Sequence, residues 1–402
     1  MIENAFPLRP FILLTFLAAG FVHAETYYLA PDGKDSAKGT SADKPWRTLY
    51  KINDVAKPGD TFILGAGVYE LGKSFATLTC AGTANAPIRI KGPEGVRPRL
   101  HFEGWSGIKI GPGGAHIEIS GIDIEGASGA ITLDEAKADS PTKKSGRFNG
   151  NGISIDGRSG VTEEKQRPHH ITLRDLRVWA CPGGGIAASH CDYITIEDCT
   201  VSGCAWYSTF GCSGISVWQA WNYDEEPGYH IRIRGNRCFD NRQYLPVKPG
   251  GKIMDGNGII IDDSRNTQQG SKLGIYEGRV LVEGNTSFNN GGSGIHVYES
   301  DHVDILGNVV WMNNQTPEYT NGQLFVNDAS DIRIEGNTIG ALEGKDATNN
   351  FRRNDRPENP GIVWKNNVIF HGKPGKGTTD GNLVVPLPRP AATPADSPAV
   401  AK

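Results

Sequence analysis

Alternating apolar and polar residues recur along this chain in short phrases that close on a turn. His230-Ile-Arg-Ile-Arg-Gly-Asn236, Arg279-Val-Leu-Val-Glu-Gly-Asn285, His302-Val-Asp-Ile-Leu-Gly-Asn308 and Asp331-Ile-Arg-Ile-Glu-Gly-Asn337 are four such phrases. Alignment on the apolar positions extends the series to Ile362-Val-Trp-Lys-Asn-Asn367, and back to Ile194-Thr-Ile-Glu-Asp-Cys199, Ile171-Thr-Leu-Arg-Asp-Leu176 and Ile117-Glu-Ile-Ser-Gly-Ile122. A side-chain period of two predicts strands with one face buried. Asn285 and Asn308 stand 23 residues apart, and the other intervals are equal or longer. A period in the low twenties without an amphipathic helix predicts an all-β solenoid, a parallel β-helix whose coils are spaced by about 4.8 Å. Asparagine fits the turn because it tolerates left-handed geometry and its amide can bond to stacked neighbours. The asparagine column is therefore expected to be structural.

A second strand precedes each of these phrases and usually begins with glycine, as in Gly152-Ile-Ser-Ile-Asp156, Gly185-Ile-Ala-Ala-Ser189, Gly214-Ile-Ser-Val-Trp218, Gly258-Ile-Ile-Ile-Asp262, Gly294-Ile-His-Val-Tyr298 and Gln323-Leu-Phe-Val-Asn327. Alternation sends two columns outward. One reads Ser154, Ala187, Ser216, Ile260, His296, Phe325, and the other Asp156, Ser189, Trp218, Asp262, Tyr298, Asn327. The residues just past these strands include three successive acids, Asp263, Glu299 and Asp328. Like charges stacked about 5 Å apart need compensation. A hard cation such as Ca²⁺, a raised pKa, or Arg265 folding back over them would each supply it, and turn acids splayed into solvent would need none. Outward aromatics suit stacking on sugar rings, which marks Trp218, Trp221 and Phe325, with Asp156 beside them, as a candidate glycan groove.

Composition narrows the possibilities. The 402 residues carry 52 glycines, as a fold that turns every few residues requires, and a formal net charge of −4 provides no basic field for nucleic acid. The apolar run 11–22, too short to span a bilayer and followed by Val22-His-Ala24, predicts a signal peptide over residues 1–24 and a secreted or periplasmic protein without stable membrane insertion. Residues 25–79 are expected to form an N-terminal cap and first coil, 80–371 the β-helix, and 372–402 a disordered Pro-rich tail, in one monomeric domain. Insertions fall at 134–150, 157–168, 222–229, 240–256, 264–279 and 341–360, where loops on a rigid scaffold can wall a groove. Cys181 and Cys204 share a station in successive coils, where either a disulfide or two small buried side chains would fit.

The opening Tyr27-Tyr-Leu-Ala-Pro-Asp-Gly33, the Lys44-Pro-Trp-Arg-Thr-Leu49 and the Pro58-Gly-Asp-Thr61, followed by coils with Gly-Asn turns, resemble the pectin-lyase-like superfamily of right-handed parallel β-helices. The cap is similar to that of family 9 and family 6 polysaccharide lyases. The resemblance spans nearly the whole mature chain and implies a polysaccharide substrate. The family 9 lyases place a catalytic lysine in a Gly-Phe-Lys-Leu strand, and Gly258-Ile-Ile-Ile261 has no counterpart for it.

Three functions fit the outward face. A lyase acting by β-elimination on a uronic-acid polymer would use His296 or Tyr298 as base, Arg265 to hold the carboxylate, Asp262 beside them, and Ca²⁺ on Asp263, Glu299 and Asp328. This is the favoured expectation. A glycoside hydrolase would need a carboxyl pair, drawn from Asp262, Asp263 and Glu299. A non-catalytic glycan-binding solenoid would keep the aromatics and need no acids.

Overall fold

The protein is described here by a computed structural model covering residues 24–139, 145–248, 251–319, 321–341, 345, 347–351 and 361–386. The expected signal segment, apart from Ala24, and residues 387–402 lie outside these. Each coil contributes one strand to each of three parallel sheets, of twelve, eleven and nine strands among the described residues. The Asn-terminated phrases form the first sheet, with strands such as Tyr229–Arg234, Arg279–Glu283 and Asp301–Leu306. Three-residue strands such as Arg237–Phe239 and Thr286–Phe288 form the second. The Gly-led phrases form the third, including Ile186–Ser189, Ile215–Trp218, Ile259–Asp262, Ile295–Tyr298 and Leu324–Asn327. Successive coils thus stack strand on strand, as the alternation requires.

The alternate apolar residues of all three sheets fill the bore. Ile231, Ile233, Cys238, Ile259, Ile261, Ile295 and Val297 are at most 1% exposed. Each such aliphatic contributes about 1.5–3 kcal/mol by leaving water. The cap closes one end. Strand Thr26–Leu29 pairs with Thr61–Leu64, and Tyr27 is stacked between Trp46 and Phe62 at 4.9 and 5.2 Å. The short helix Tyr50–Val55, within the amphipathic stretch of the sequence, lays Ile52 on the core. At the other end, strands Thr378–Asp380 and Leu383–Val385 add to the first and second sheets, so the coils continue to residue 386 and the disordered segment does not begin at 372.

The asparagine column is a continuous buried amide ladder. The Nδ2 of Asn236 donates to Oδ1 of Asn285, Asn285 to Asn308, Asn308 to Asn337 and Asn337 to Asn367, each at 2.9 Å, and Asn367 donates to Asn382 at 2.8 Å. The left-handed residue is the one before each asparagine, as at Gly235 (φ 65°), Gly284 (62°) and Gly307 (60°). This corrects the sequence expectation. Glycine takes the strained backbone at most of these turns and Asn366 at one (φ 53°), while the laddered asparagine is there for its amide. A second ladder, not foreseen, runs up the next turn from Asn241 to Asn290 (2.9 Å) and Asn313 (2.8 Å). Cys204 stands at its lower end, its N–H donating to Asn241 Oδ1 at 3.1 Å. Cys181 and Cys204 are both buried free thiols, so this station is filled by small side chains rather than a disulfide.

Candidate functional site

The two outward columns of the third sheet are in the register read from the sequence. Ala187 lies opposite Ser216, Ser216 opposite Ile260, Ile260 opposite His296 and His296 opposite Phe325. Beside them run Ser189, Trp218, Asp262, Tyr298 and Asn327. The columns differ in access. Ile260, His296 and Phe325 are 5, 6 and 3% exposed, whereas Trp218, Asp262, Tyr298 and Asn327 remain half-buried and reach solvent. Only the second column offers a usable floor.

His296 is therefore corrected as a general base. Its ring is packed at 4.7 Å from Phe325, neither ring nitrogen has a hydrogen-bond partner, and burial pushes its pKa down to about 3. A base that weak takes up little proton density at neutral pH. Phe325 and Trp221, the latter 4% exposed, lack open ring faces for a sugar. Trp221 packs edge-on to Tyr223 with Arg167 and Lys165 near its face. Asp156 lies at the far end of the accessible column, clamped by Arg158 at 2.8 and 3.0 Å and by Lys109 at 3.3 Å. Although burial opposes ionisation, these cations hold its carboxyl well below the usual range.

The three turn acids are compensated by the protein itself. All have left-handed backbone, with φ of 52°, 46° and 53° at Asp263, Glu299 and Asp328. Asp263 Oδ1 accepts from the Thr267 N–H at 2.8 Å and hydroxyl at 3.1 Å, and Oδ2 from Gln219 Nε2 and the Gln268 N–H, both at 2.8 Å. Four donors occupy all four lone-pair directions of the carboxylate. Arg265 folds back, as one expectation had it, and binds Asp301 through two bonds of 2.7 Å and Asp328 at 3.2 Å. Glu299 accepts from Thr267 and Gln268 at 3.4 and 3.3 Å. This set does not suit Ca²⁺: Asp263 has no lone pair to offer, and a guanidinium already sits on Asp328. Arg265 is likewise committed to structure and cannot serve as a substrate carboxylate clamp.

The segment that caps Asp263 also shapes the groove. Gln268, in a short 3₁₀ turn, accepts from the Trp218 indole at 3.2 Å and donates to Asp262 at 2.8 Å. It ties the aromatic floor to the acid beside it. Asp262 stands between Trp218 and Tyr298, one coil from each. Burial first, and then the charge of Asp255, raises the Asp262 pKa well above the carboxylate range. Asp255 closes the 240–256 insertion. Its backbone N–H is held by Gln243 Oε1 at 3.1 Å, and its carboxyl accepts from Asn257 at 3.0 Å. Burial pushes its pKa up to about 7. Both carboxyls are half-buried, and the charge of Asp255 adds to the burial that disfavours ionisation of Asp262. Sequence reasoning found Asp262 and missed Asp255, which lies in an insertion that no repeat register reaches.

Comparison with known proteins agrees with this fold. The family model described as "Pel9A-like, right handed beta helix region" matches residues 27–165, and "Right handed beta helix region" matches 151–339. The two models together span residues 27–339, and the fold is a right-handed parallel β-helix. It is similar to the crystal structure of pectate lyase Pel9A, at 14% identity and TM-score 0.52, over 92% of this chain and 78% of that one. Among curated proteins it is 23% identical over 306 residues to the uncharacterized protein YclG of Bacillus subtilis (strain 168), covering 66% of this chain and 48% of that protein. A 69-residue stretch, 16% of this chain and 4% of the relative, is 39% identical to lacto-N-biosidase of Bifidobacterium longum subsp. longum. The chain thus spans about half or less of the curated relatives it matches. Fold alone does not choose a reaction.

Proposed function

We propose that this protein is an exported glycoside hydrolase that binds a glycan along the third sheet and cleaves it over Asp255 and Asp262. The observation that carries the reading is that Asp262, a half-buried carboxyl of raised pKa, stands in register between the accessible Trp218 and Tyr298, with a second raised carboxyl, Asp255, near enough for its charge to be felt. Near neutral pH such a pair retains a proton, which glycoside hydrolysis uses. One carboxyl protonates the leaving oxygen, and the other, ionised, acts at the anomeric carbon directly or through a water. Trp218 and Tyr298, flanking Asp262, would stack on the sugars on either side of the cleaved bond. The short stretch similar to lacto-N-biosidase agrees with this class.

The favoured sequence expectation, metal-assisted β-elimination, has less support. One of its two candidate bases, His296, is buried, its cation set is filled by donors, and its carboxylate clamp is engaged elsewhere. The test is a panel of neutral and uronate glycans, each with and without chelator. Hydrolysis predicts new reducing ends without an ultraviolet-absorbing unsaturated product, unaffected by chelation. Asp262→Asn should lower turnover by about 10³-fold. An unsaturated product, or near-normal turnover in that variant, would overturn the reading.

A further inference from the structure

We infer that His116, His169 and His170 form a binding site for a divalent transition metal of the zinc class, separate from the acid pair. His169 heads the first-sheet strand His169–Arg174 and lies opposite Ala115, so His116 and His170 occupy equivalent places in successive coils. Both take left-handed backbone, with φ of 49° and 55°, and their rings stack at 4.4 Å. The His169 ring meets both edge-on, at 5.5 and 5.0 Å. Nδ1 of His169 is 2.7 Å from Nδ1 of His170, and one ring nitrogen from each of the three residues lies within 4.8 Å of the others.

Those separations bracket what a tetrahedral ion needs. With metal–nitrogen bonds of about 2.0–2.1 Å, imidazole nitrogens stand about 3.3 Å apart. The closest pair must open by roughly half an ångström, and the third ring must close by up to about 1.5 Å. His116 and His170 are half-buried and His169 is 8% exposed, so the rings have an open side for that adjustment and for a water as fourth ligand. Behind the cluster, the fully buried Asp192 accepts from Tyr276 at 2.6 Å and contacts His230 at 3.1 Å, placing negative charge next to the site. Three imidazoles select zinc, nickel, copper or cobalt over calcium or magnesium.

The experiment uses untagged, chelator-stripped protein, titrated with Zn²⁺ by calorimetry and with Co²⁺ by visible absorption. The expected result is one equivalent bound in the micromolar range or tighter, a tetrahedral Co²⁺ spectrum displaced by Zn²⁺, and a metal-dependent rise in Tm. The double variant H116A/H170A should lose all three signals. The variant H302A, whose histidine is bonded to Asp331 elsewhere on the first sheet, and D255N should keep them. A melting curve without metal establishes that the double variant is folded, and if it is not, His170→Gln serves in its place. No saturable binding to the parent at millimolar Zn²⁺, or equal binding to the folded variant, would overturn the assignment.

Discussion

Replacing Asp255 by asparagine should stabilise the protein, and by an amount that depends on pH. The carboxyl titrates near 3.8 when unfolded and near 7 in the fold, where burial opposes its charge. Between those values the folded chain binds more protons than the unfolded one, so stability falls as pH rises. The slope approaches about 1.4 kcal/mol per pH unit, and three units set a ceiling of about 4 kcal/mol. Solvent access and coupling to Asp262 will reduce it. Asparagine keeps the shape and the contact with Asn257 but removes the charge. Chemical denaturation of parent and Asp255→Asn at pH 4 and pH 8 would measure the difference. The variant should gain roughly 2–4 kcal/mol relative to the parent on going from the lower to the higher pH. The same variant should lose turnover. A difference between the two proteins that does not change with pH would refute the idea that the groove holds a destabilised carboxyl there.

Three further outcomes follow from the geometry. Asn285→Ala removes an amide that donates to the Ile233 carbonyl and to Asn308 while accepting from Asn236, so buried partners are orphaned and unfolding free energy should drop by about 2–5 kcal/mol. Arg265→Met strips the cation from Asp301 and the buried Asp328, at a cost of about 3–5 kcal/mol, without making activity metal-dependent; a new chelator sensitivity would show the site prefers an ion. Trp218→Ala should raise KM more than it lowers kcat, with any loss in kcat attributable to Gln268 losing its anchor beside Asp262. An unchanged KM would remove Trp218 from the substrate floor.

Much of this molecule was legible because a solenoid repeats its side-chain environment. Ile259, Ile261 and their equivalents declare an inward face, and the same alternation puts Trp218, Asp262 and Tyr298 in line. Burial on the outward face was not legible. His296 and Phe325 read as outward and are so, yet the residues packed over them cannot be inferred from alternation. Arg265 illustrates a different limit. Its position near the acids was foreseen, but its choice of Asp301 depends on a turn one coil further on. Asp255 left no signal beyond membership of an insertion. The second amide ladder did leave one, since Asn290 follows Asn285 by five residues and Asn313 follows Asn308 by the same interval.

The lower limit of the amide ladders divides the solenoid into regions of unequal local stability. Both columns stop at one coil, where the backbone N–H groups of Cys199 and Cys204 donate to Oδ1 of Asn236 and Asn241 and no side-chain amide continues the stack. Below it, neither turn carries an amide ladder among the described residues, and side-chain bonds such as Ser106–Ser154 and Asn149–Ser208 are isolated. Above it, each coil is also stitched to the next by side-chain amides, in two turns from Asn241 to Asn313 and in one turn beyond. Hydrogen exchange should therefore report two cooperative units, with higher opening free energies from residue 236 onward. The strand that carries Asp262 lies inside the more protected unit, so the groove would stay assembled during excursions that loosen the capped end.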